Sequence, residues 1–300
     1  MDFFKYIHAV GTGSKGNRDL TIEESKDMME QILNQSIPSE QAAAFLLGWR
    51  LKPETTTEFR GAVETCDGFI KKTPIANSIE LGYPFDGKAK NPYMFPLVAK
   101  VLENSNLNLV VIGDELTPSK DGITVKDICT KINLNKNAHY FDRADFFKEL
   151  SDLTELRMKL GLRTGFNTIE KLPHVANSEF AITGVFHKPY VKKYVATFAD
   201  RYKNFALIQG NEGTPELFSK GRLWVTNGQT NGEVREFVID PAHYGINYTK
   251  SWDTISVKES LEQLNNPSAE YLKLAKLNAA VYLFVAQKAS SIDEAFEKLN

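Results

Sequence analysis

Cysteine is scarce in this 300-residue chain, and its two cysteines exclude a fold held together by disulfides. Cys66 and Cys129 stand alone, a usage that favours a reducing compartment and predicts a cytoplasmic location. No apolar run approaches the roughly 18 residues that a membrane helix needs, so we expect no membrane partner. The amino-terminal residues lack a basic segment before an apolar core, which predicts no signal peptide.

Charge of one sign is also lacking, because 36 lysines and arginines face 38 acidic residues for a net charge of −2. This balance excludes an overall basic field, so any nucleic-acid binding must come from a local patch. The five histidines show no metal-ligand spacing, and we expect no zinc site. The stretch GTGSKGN at 11–17 lacks the pattern of a nucleotide phosphate loop and predicts a turn.

The sequence has clear helix signals near both ends of the chain. The pattern of residues 19–70 predicts helices, with a capping box at Thr21 and Glu24 and an N-cap at Ser39. The last 33 residues are also predicted to be helical, with starts at Ser268 and Ser291. Between these ends, short apolar runs predict buried strands at Leu109–Ile112, Phe180–Val185, Phe205–Gln209, Leu223–Thr226 and Val234–Ile239. Strands that alternate with helices indicate a mostly parallel sheet.

Several stretches resemble the anthranilate phosphoribosyltransferase family, in the family's own order along the chain. They are RDLTIEESKDMMEQILNQSIPSEQAAAFLLGWRLKPETTTEFRGA at 18–62, LRMKLGLRTGFNTIEKL at 156–172, ALIQGNEGTPEL at 206–217, GEVREFVIDPAHYGI at 232–246 and KLNAAVYLF at 276–284. The resemblance implies an α/β protein with a small all-helical domain and a larger α/β domain with a mostly parallel central sheet. We expect the helical domain at 1–70, with 151–178 returning to it, and the α/β domain at 71–150 and 179–300.

The diphosphate motifs of that family are altered. Its glycine-rich turn and the following Asn-x-Ser-Thr here read YPFDGKAKNPYMFP at 83–96, and bulky residues forbid the close backbone approach of glycine. Its Lys-His-Gly-Asn-Arg segment here reads Val111-Ile112-Gly113-Asp114-Glu115. Its magnesium-binding Asp-Glu pair is Pro215-Glu216, which has one hard oxygen ligand fewer. We therefore expect no cofactor and no phosphoribosyl transfer to anthranilate; magnesium is implied only if the protein is an enzyme.

The residues that correspond to the family's cleft are otherwise retained in part. They are Asp86, Gly87, Gly113, Ser119, Arg157, Arg163, Asn167 and Glu216. A small-molecule ligand in this cleft is therefore kept as a candidate partner. His174 follows the RTGFNTIEKL stretch and is open to two interpretations, as a turn residue or as a base. No catalytic residue can be assigned from the sequence.

A side branch of this family, whose members are DNA-binding proteins, is similar at GTGSKGNRDL (11–20) and DGKAKNP (86–92). The segment 187–203 has five basic residues against one acid, with Tyr190, Tyr194, Phe198 and Tyr202 at helical spacing. Two interpretations stay open and are compatible: an amphipathic helix with solvated lysines, or a helix that contacts phosphates. Lys88 and Lys90 would be surface loop lysines or replacements for the phosphate loop. The candidate nucleic-acid-binding residues are Lys88, Lys90, Lys188, Lys192, Lys193, Arg201 and Lys203.

Taken together, these patterns favour a DNA-binding protein without sequence preference that has lost anthranilate phosphoribosyltransferase activity. The alternative is a glycosyl or phosphoribosyl transferase that acts on an unidentified aromatic or nucleobase acceptor. The family resemblance also implies a homodimer through the amino-terminal helices, where Phe45, Leu46 and Trp49 lie beside alanines. The other interpretation of these apolar residues is that they fill the domain's own core.

Overall fold

The computed structural model describes residues 3–118 and 120–299, and its amino-terminal part is a bundle of helices. The helices are α1 (Phe4–Gly11), α2 (Ile22–Leu33), α3 (Ser39–Leu51) and α4 (Thr56–Phe69). The predicted capping box of Thr21 and Glu24 is confirmed at the start of α2. Ser39 is instead the first residue of α3, because Pro38 occupies the N-cap position. The stretch 11–17 is a turn that follows a helix, not a strand.

One buried carboxylate holds this bundle together. Glu58 on α4 accepts hydrogen bonds from the backbone N–H groups of Leu20 (2.8 Å) and Thr55 (2.8 Å) and from Trp49 Nε1 (3.0 Å). Its charge is paired with Lys52 Nζ at 2.9 Å. Because these partners come from the ends of three helices, this single side chain sets the relative positions of α2, α3 and α4.

The second part of the chain contains a sheet with strand order β3-β2-β1-β4-β5-β6-β7 among the described residues. The strands are β1 (Ser78–Gly82), β2 (Asn108–Gly113), β3 (Ala138–Asp142), β4 (Phe180–Gly184), β5 (Asn204–Ile208), β6 (Gly221–Thr226) and β7 (Arg235–Ile239). Every pairing from β3 to β5 is parallel, and β6 and β7 are antiparallel. The mostly parallel sheet is thus confirmed, as are the five predicted strands.

Two strands carry no long apolar run, which is why the sequence did not predict them. β1 contains the buried polar residues Ser78 and Glu80, whose partners come from other parts of the fold. β3 reads AHYFD and is buried fully only at Ala138. Strand recognition by apolar runs therefore failed where tertiary hydrogen bonds or an edge position make polar residues acceptable.

The remaining helices surround the sheet. They are α5 (Phe95–Val101), α6 (Val125–Cys129), α7 (Arg143–Phe146), α8 (Lys148–Ser151), α9 (Thr154–Leu160), α10 (Phe166–Ile169), α11 (Pro189–Phe198), α12 (Val257–Asn265), α13 (Ala269–Val285) and α14 (Ile292–Lys298). Ser268 and Ser291 cap α13 and α14 as predicted. None of the helices in the described part of the chain is long and apolar enough to cross a membrane.

The segment between α9 and α10 lies against the helical bundle. A Cβ on Gly165 would stand 2.5 Å from the ring of Trp49, so only glycine permits this approach. Arg50 on α3 donates to the carbonyl oxygen of Arg163. On the other side, α11 contacts α4, where Arg60 donates to the carbonyl of Ala196 at 3.1 Å. The bundle therefore contacts the rest of the chain on two sides, and an open space lies between these two contacts.

The residues proposed for dimer contacts have another role. Phe45, Leu46 and Trp49 are fully buried, and the rings of Phe45 and Trp49 lie 5.6 Å apart. They fill the core of their own domain, so the expectation that they form an intersubunit surface is wrong. Cys66 and Cys129 are both free thiols.

Candidate active-site or ligand-binding cleft

The space between the bundle and the sheet is a cleft of about 660 Å³. The chain enters it from the carboxyl ends of β1 and β4, through Pro84 and Asp86 and through Gly184–His187. In parallel α/β sheets, ligands bind outside the carboxyl ends of strands, and this cleft has that position. The helical bundle supplies the opposite wall through Arg50, Pro53 and Glu54.

Basic side chains outnumber acidic ones in the lining. The basic residues are Arg50, Lys120, Arg163 and Lys171, and the acidic ones are Glu54, Asp86 and Glu212. Arg163 Nε donates to Asp86 Oδ2 at 2.8 Å, and Lys120 Nζ lies 3.5 Å from Asp86 Oδ1. Lys171 Nζ donates to the carbonyl oxygen of Gly184 at 3.2 Å. The floor of the cleft therefore concentrates positive charge around one buried aspartate.

Burial shifts the pKa of two groups in this lining. Burial, with the nearby cations Arg163 and Lys171, lowers the pKa of Lys120 against the attraction of Asp86. Burial also raises the pKa of the Glu54 carboxyl. Both shifts disfavour the charged form, and a bound anion would favour the charged form of Lys120 again.

Two buried polar atoms at the cleft have no hydrogen-bond partner, Asp86 Oδ1 and Thr164 Oγ1. Asp86 Oδ1 has only the ion pair with Lys120 Nζ at 3.5 Å. Buried polar groups in folded proteins are nearly always hydrogen-bonded, so these two atoms indicate a place for a ligand or ordered water. A ligand that fits would donate a hydrogen bond to Asp86 and place an anionic group near the surrounding basic residues.

Two aromatic residues stand exposed at the mouth of the cleft. The side chain of Phe186 is 73% exposed, and that of Tyr190, at the start of α11, is 48% exposed. Tyr194, one turn further along α11, is buried, and Lys171 Nζ lies 5.8 Å from the centre of its ring. An apolar ring that remains in water beside cations is the arrangement used to stack planar ligands.

Next to the cleft, the altered phosphate-loop region is closed by its own side chains. Tyr83, Tyr93 and Phe95 form a triangle with ring centres 5.4, 5.7 and 6.0 Å apart. The buried carboxylate of Glu216 accepts from Tyr83 Oη (2.8 Å) and from the backbone N–H groups of Met94 (2.6 Å) and Phe95 (3.1 Å). A carboxylate of the chain thus uses backbone donors at the start of α5.

Lys88 completes this closed region and corrects an expectation. Its Nζ lies 2.7 Å from Glu216 Oε2 and donates to the carbonyl of Pro92 at 2.7 Å. Burial lowers the pKa of Lys88, and the charge of Glu216 opposes that shift. Both side chains are fully buried, so Lys88 is neither a surface loop lysine nor a replacement for the phosphate loop, and both interpretations are wrong. Lys90, two residues further, is half-buried.

The residues that correspond to the family's magnesium pair do not fit a magnesium ion. Pro215 offers no side-chain oxygen, and four donors already surround the carboxylate of Glu216. A divalent cation needs free oxygen ligands, which this position lacks. Within residues 3–118 and 120–299, no group of three or more His, Cys, Asp or Glu side chains is placed to hold a metal ion.

The cleft brings together only part of the residues carried over from the family. Asp86, Arg163 and Asn167 line it, and Asn167 Oδ1 accepts from the N–H of Thr164 at 2.9 Å. Gly87 has φ = +77° and a Cβ there would stand 2.6 Å from Gly122, so its role is in the loop backbone. Gly113 ends β2 and packs against α6. Ser119 lies outside the described residues.

Arg157 belongs to a buried ion cluster and not to the cleft lining. Its guanidinium donates to both carboxylate oxygens of Glu170 at 2.6 and 2.9 Å. Glu170 also binds Arg143, whose Nε donates to Asp114 at 2.8 Å. This cluster joins α7, α9 and α10 to the end of β2, so Arg157 positions the segment that carries Arg163.

The basic segment 187–203 is largely paired. Lys188 binds Glu236 at 2.7 Å, Arg201 binds Asp67 at 2.6 Å, and Lys203 binds Glu179. Lys193 Nζ donates to the carbonyl of Glu54 at 2.6 Å and belongs to the contact between α11 and the bundle. In the described part of the chain, no acidic partner is recorded for Lys192, which is exposed.

Sequence reasoning missed the basic residues that lie in the cleft. Arg50, Lys120 and Lys171 are isolated in the sequence, and only the fold gathers them. The available signal was their proximity to retained motifs: Lys120 lies near Gly122, and Lys171 is the penultimate residue of the RTGFNTIEKL stretch. His174 does not line the cleft; its backbone has φ = +57° and its Nε2 contacts the carbonyl of Ser178, as a turn residue does.

Comparison with known proteins agrees with this architecture. A family model described as the helical bundle domain of a glycosyl transferase family matches residues 5–67. A second, described as the a/b domain of that family, matches residues 135–300. The chain therefore belongs to this glycosyl transferase family.

Individual relatives include anthranilate phosphoribosyltransferases that are similar over most of the chain. An uncharacterised protein of Aquifex aeolicus is 25% identical, over 98% of this chain and 97% of that protein. The anthranilate phosphoribosyltransferase of the same organism is 26% identical, over 93% of this chain and 88% of that protein. The enzyme structure from Thermus thermophilus has a TM-score of 0.78 at 17% identity, covering 100% of this chain and 93% of that one. The structure of the Saccharomyces cerevisiae enzyme in complex with PRPP and Mg has a TM-score of 0.73 at 16% identity. The match covers 99% of this chain and 92% of that one.

Replacing Lys88 tests the closed region. We expect Lys88→Met to lower the free energy of unfolding by about 3 kcal/mol, because the buried charge of Glu216 loses its partner. The double variant Lys88→Met/Glu216→Gln should recover part of this loss, since no unpaired charge is then buried. Urea denaturation measures both. Lys90→Met is the matched control on the same loop, and an equal loss in the control would contradict the interpretation.

Proposed function

We propose that this protein binds nucleic acid without sequence preference and does not transfer a phosphoribosyl group to anthranilate. The observation that carries the proposal is the cleft itself, whose lining includes the exposed rings of Phe186 and Tyr190 together with Arg50 and Arg163. Aromatic faces next to cations are how proteins bind nucleic acid independently of sequence. A cytoplasmic location, which the two free cysteines favour, is part of this proposal.

The closed region beside the cleft supports the negative half of the proposal. Transfer from a diphosphate donor requires the leaving charge to be neutralised in the transition state. Here the N–H groups of Met94 and Phe95 already bind Glu216, and the charge of Lys88 is paired with the same carboxylate. A donor diphosphate would have to displace this carboxylate and break a buried ion pair.

Only some of the basic side chains in segment 187–203 are available to contact phosphates. Lys193 and Arg201 hold parts of the fold together, whereas Lys192 remains exposed on α11, two residues after Tyr190. We therefore expect phosphates to contact Arg50, Arg163 and Lys192, with Lys188 joining by exchange of its surface partner Glu236.

A salt titration tests nucleic-acid binding. We expect micromolar protein to shift both duplex and single-stranded DNA in a gel at low salt. Affinity for the duplex should fall with salt with a log–log slope of about −0.9 per neutralised phosphate. Arg50→Glu/Lys192→Glu should lower affinity at least about tenfold and reduce that slope by about two.

Lys136→Glu is the matched control, because Lys136 is exposed at the amino end of the edge strand β3, whereas the cleft lies at the carboxyl ends of β1 and β4. Absence of binding at low salt would reject the proposed function. Equal weakening by the control would reject the cleft mouth as its place.

We further propose that the chain pairs as a homodimer, which would present two cleft mouths to one strand and raise avidity. The surface available on the bundle side is the exposed apolar pair Leu51, at the end of α3, and Met158, on the contacting helix α9. Light scattering should give twice the chain mass at micromolar concentration. The variant Leu51→Lys/Met158→Lys should be monomeric, and a monomeric wild type would contradict the proposal.

A second candidate function is a glycosyl or phosphoribosyl transferase that acts on an aromatic or nucleobase acceptor. Asp86 Oδ1 and Thr164 Oγ1 favour it, because neither has a hydrogen-bond partner and both suit a small ligand with hydrogen-bond donors. Arg163 and Lys120 would hold its anionic group, and Phe186 would cover its ring. This function needs a donor-binding mode that does not use the region closed by Glu216.

A turnover assay separates the two candidates. Purified protein with phosphoribosyl pyrophosphate is incubated with anthranilate, other aromatic amines or nucleobases, with and without magnesium. We expect no release of pyrophosphate above the protein-free rate, because the Glu216 carboxylate already accepts four hydrogen bonds and Lys88 is buried. Magnesium-dependent release with any acceptor would overturn the first proposal, and its loss in Asp86→Asn would place the reaction in this cleft.

A further inference from the structure

A tryptophan stands exposed on the loop that precedes α12. Trp252 is 70% exposed, whereas Trp49 and Trp224 are buried. The Nζ atoms of Lys250 and Lys90 lie 4.6 and 5.3 Å from the centre of its ring. Neither lysine has an acidic partner recorded among the described residues, although Asp253 directly follows Trp252 in the chain. A single exposed apolar residue is ordinary at a protein surface, but here two cations lie over the ring of one exposed indole.

The position of Trp252 is set by hydrogen bonds to the altered phosphate-loop region. Asn91 Nδ2 donates to the carbonyl of Ser251 at 3.3 Å, and the N–H of Ser251 donates back to Asn91 Oδ1 at 2.9 Å. The N–H of Ile255 donates to the carbonyl of Ala89 at 2.8 Å. The exposed ring is therefore presented by a fixed segment, and residues 88–91 carry it.

This segment also borders the cleft. The carboxylate of Glu212, which lines the cleft, accepts from the N–H groups of Ala89 at 2.7 Å and Lys90 at 3.3 Å. Lys120 Nζ donates to the carbonyl of Glu212 at 2.5 Å. Glu212 thus links the segment that carries Trp252 to the lining of the cleft, to which Lys120 and Phe186 also belong.

We propose that Trp252 is a stacking platform for an unpaired base of a single-stranded nucleic acid, with Lys90 and Lys250 contacting the adjacent phosphates. This inference rests on the proposed function and deepens it by naming the strand type and its path. Stacking on indole requires a base whose face is free, which a duplex does not offer along its length. Exposed cation–π contacts are weak, so both lysines can exchange the ring for phosphates when a base arrives.

Fluorescence titration with a thymidine oligonucleotide tests this platform in the wild-type chain. Because Trp49 and Trp224 are buried, stacking on Trp252 should quench the solvent-exposed part of the emission. Trp252→Ala should remove that quenching and weaken binding of the oligonucleotide about tenfold. Trp252→Phe should retain most of the affinity, and duplex binding should change less than about twofold in both variants.

Two further variants test the lysines. Lys250→Glu should weaken binding of the oligonucleotide, and Lys136→Glu, at the amino end of the edge strand β3, should not. If the wild type binds but shows no quenching and Trp252→Ala binds equally well, this inference fails and the proposed function stands. If the wild type binds no nucleic acid at low salt, both fail. Thermal melting of each variant against the wild type excludes loss of folding as the cause.

Discussion

The buried carboxylate of Glu216 is the interaction on which the shape of the functional region depends. It gathers the hydroxyl of Tyr83, the ammonium of Lys88 and two backbone N–H groups at the start of α5. A charge can remain in such a dry place only when it is paired and fully hydrogen-bonded. The loop from Tyr83 to Phe95 consequently folds around the Glu216 carboxylate, and Tyr83, Tyr93 and Phe95 form a small aromatic core.

The neighbouring cleft stays open because different elements form its walls. The carboxyl ends of β1 and β4 supply one side, and the end of α3 with Pro53 and Glu54 supplies the other. The ion cluster around Arg157 and Glu170 fixes the segment from which Arg163 reaches Asp86. A closed loop region and an open basic cleft therefore lie side by side, and the closed loop also holds the segment with Trp252.

Charge counted along the chain was a poor guide to charge available at the surface. The segment 187–203 has a clear excess of lysine and arginine, yet most of these side chains bind acids or carbonyls from distant segments. The cleft cations Arg50, Lys120 and Lys171 come from three separate segments and leave no pattern in the sequence. A buried lysine such as Lys88 is indistinguishable in sequence from an exposed one.

The sequence by itself determined the local elements and the family. Capping boxes such as Thr21 with Glu24 and apolar runs such as Leu109–Ile112 act within a few residues, so they can be recognised directly. The tertiary structure alone decided which charges are paired, which are buried and which face the cleft. Lys88 and Glu216 are 128 residues apart in the chain, and burial and pairing are set by such distant neighbours, which no local pattern records.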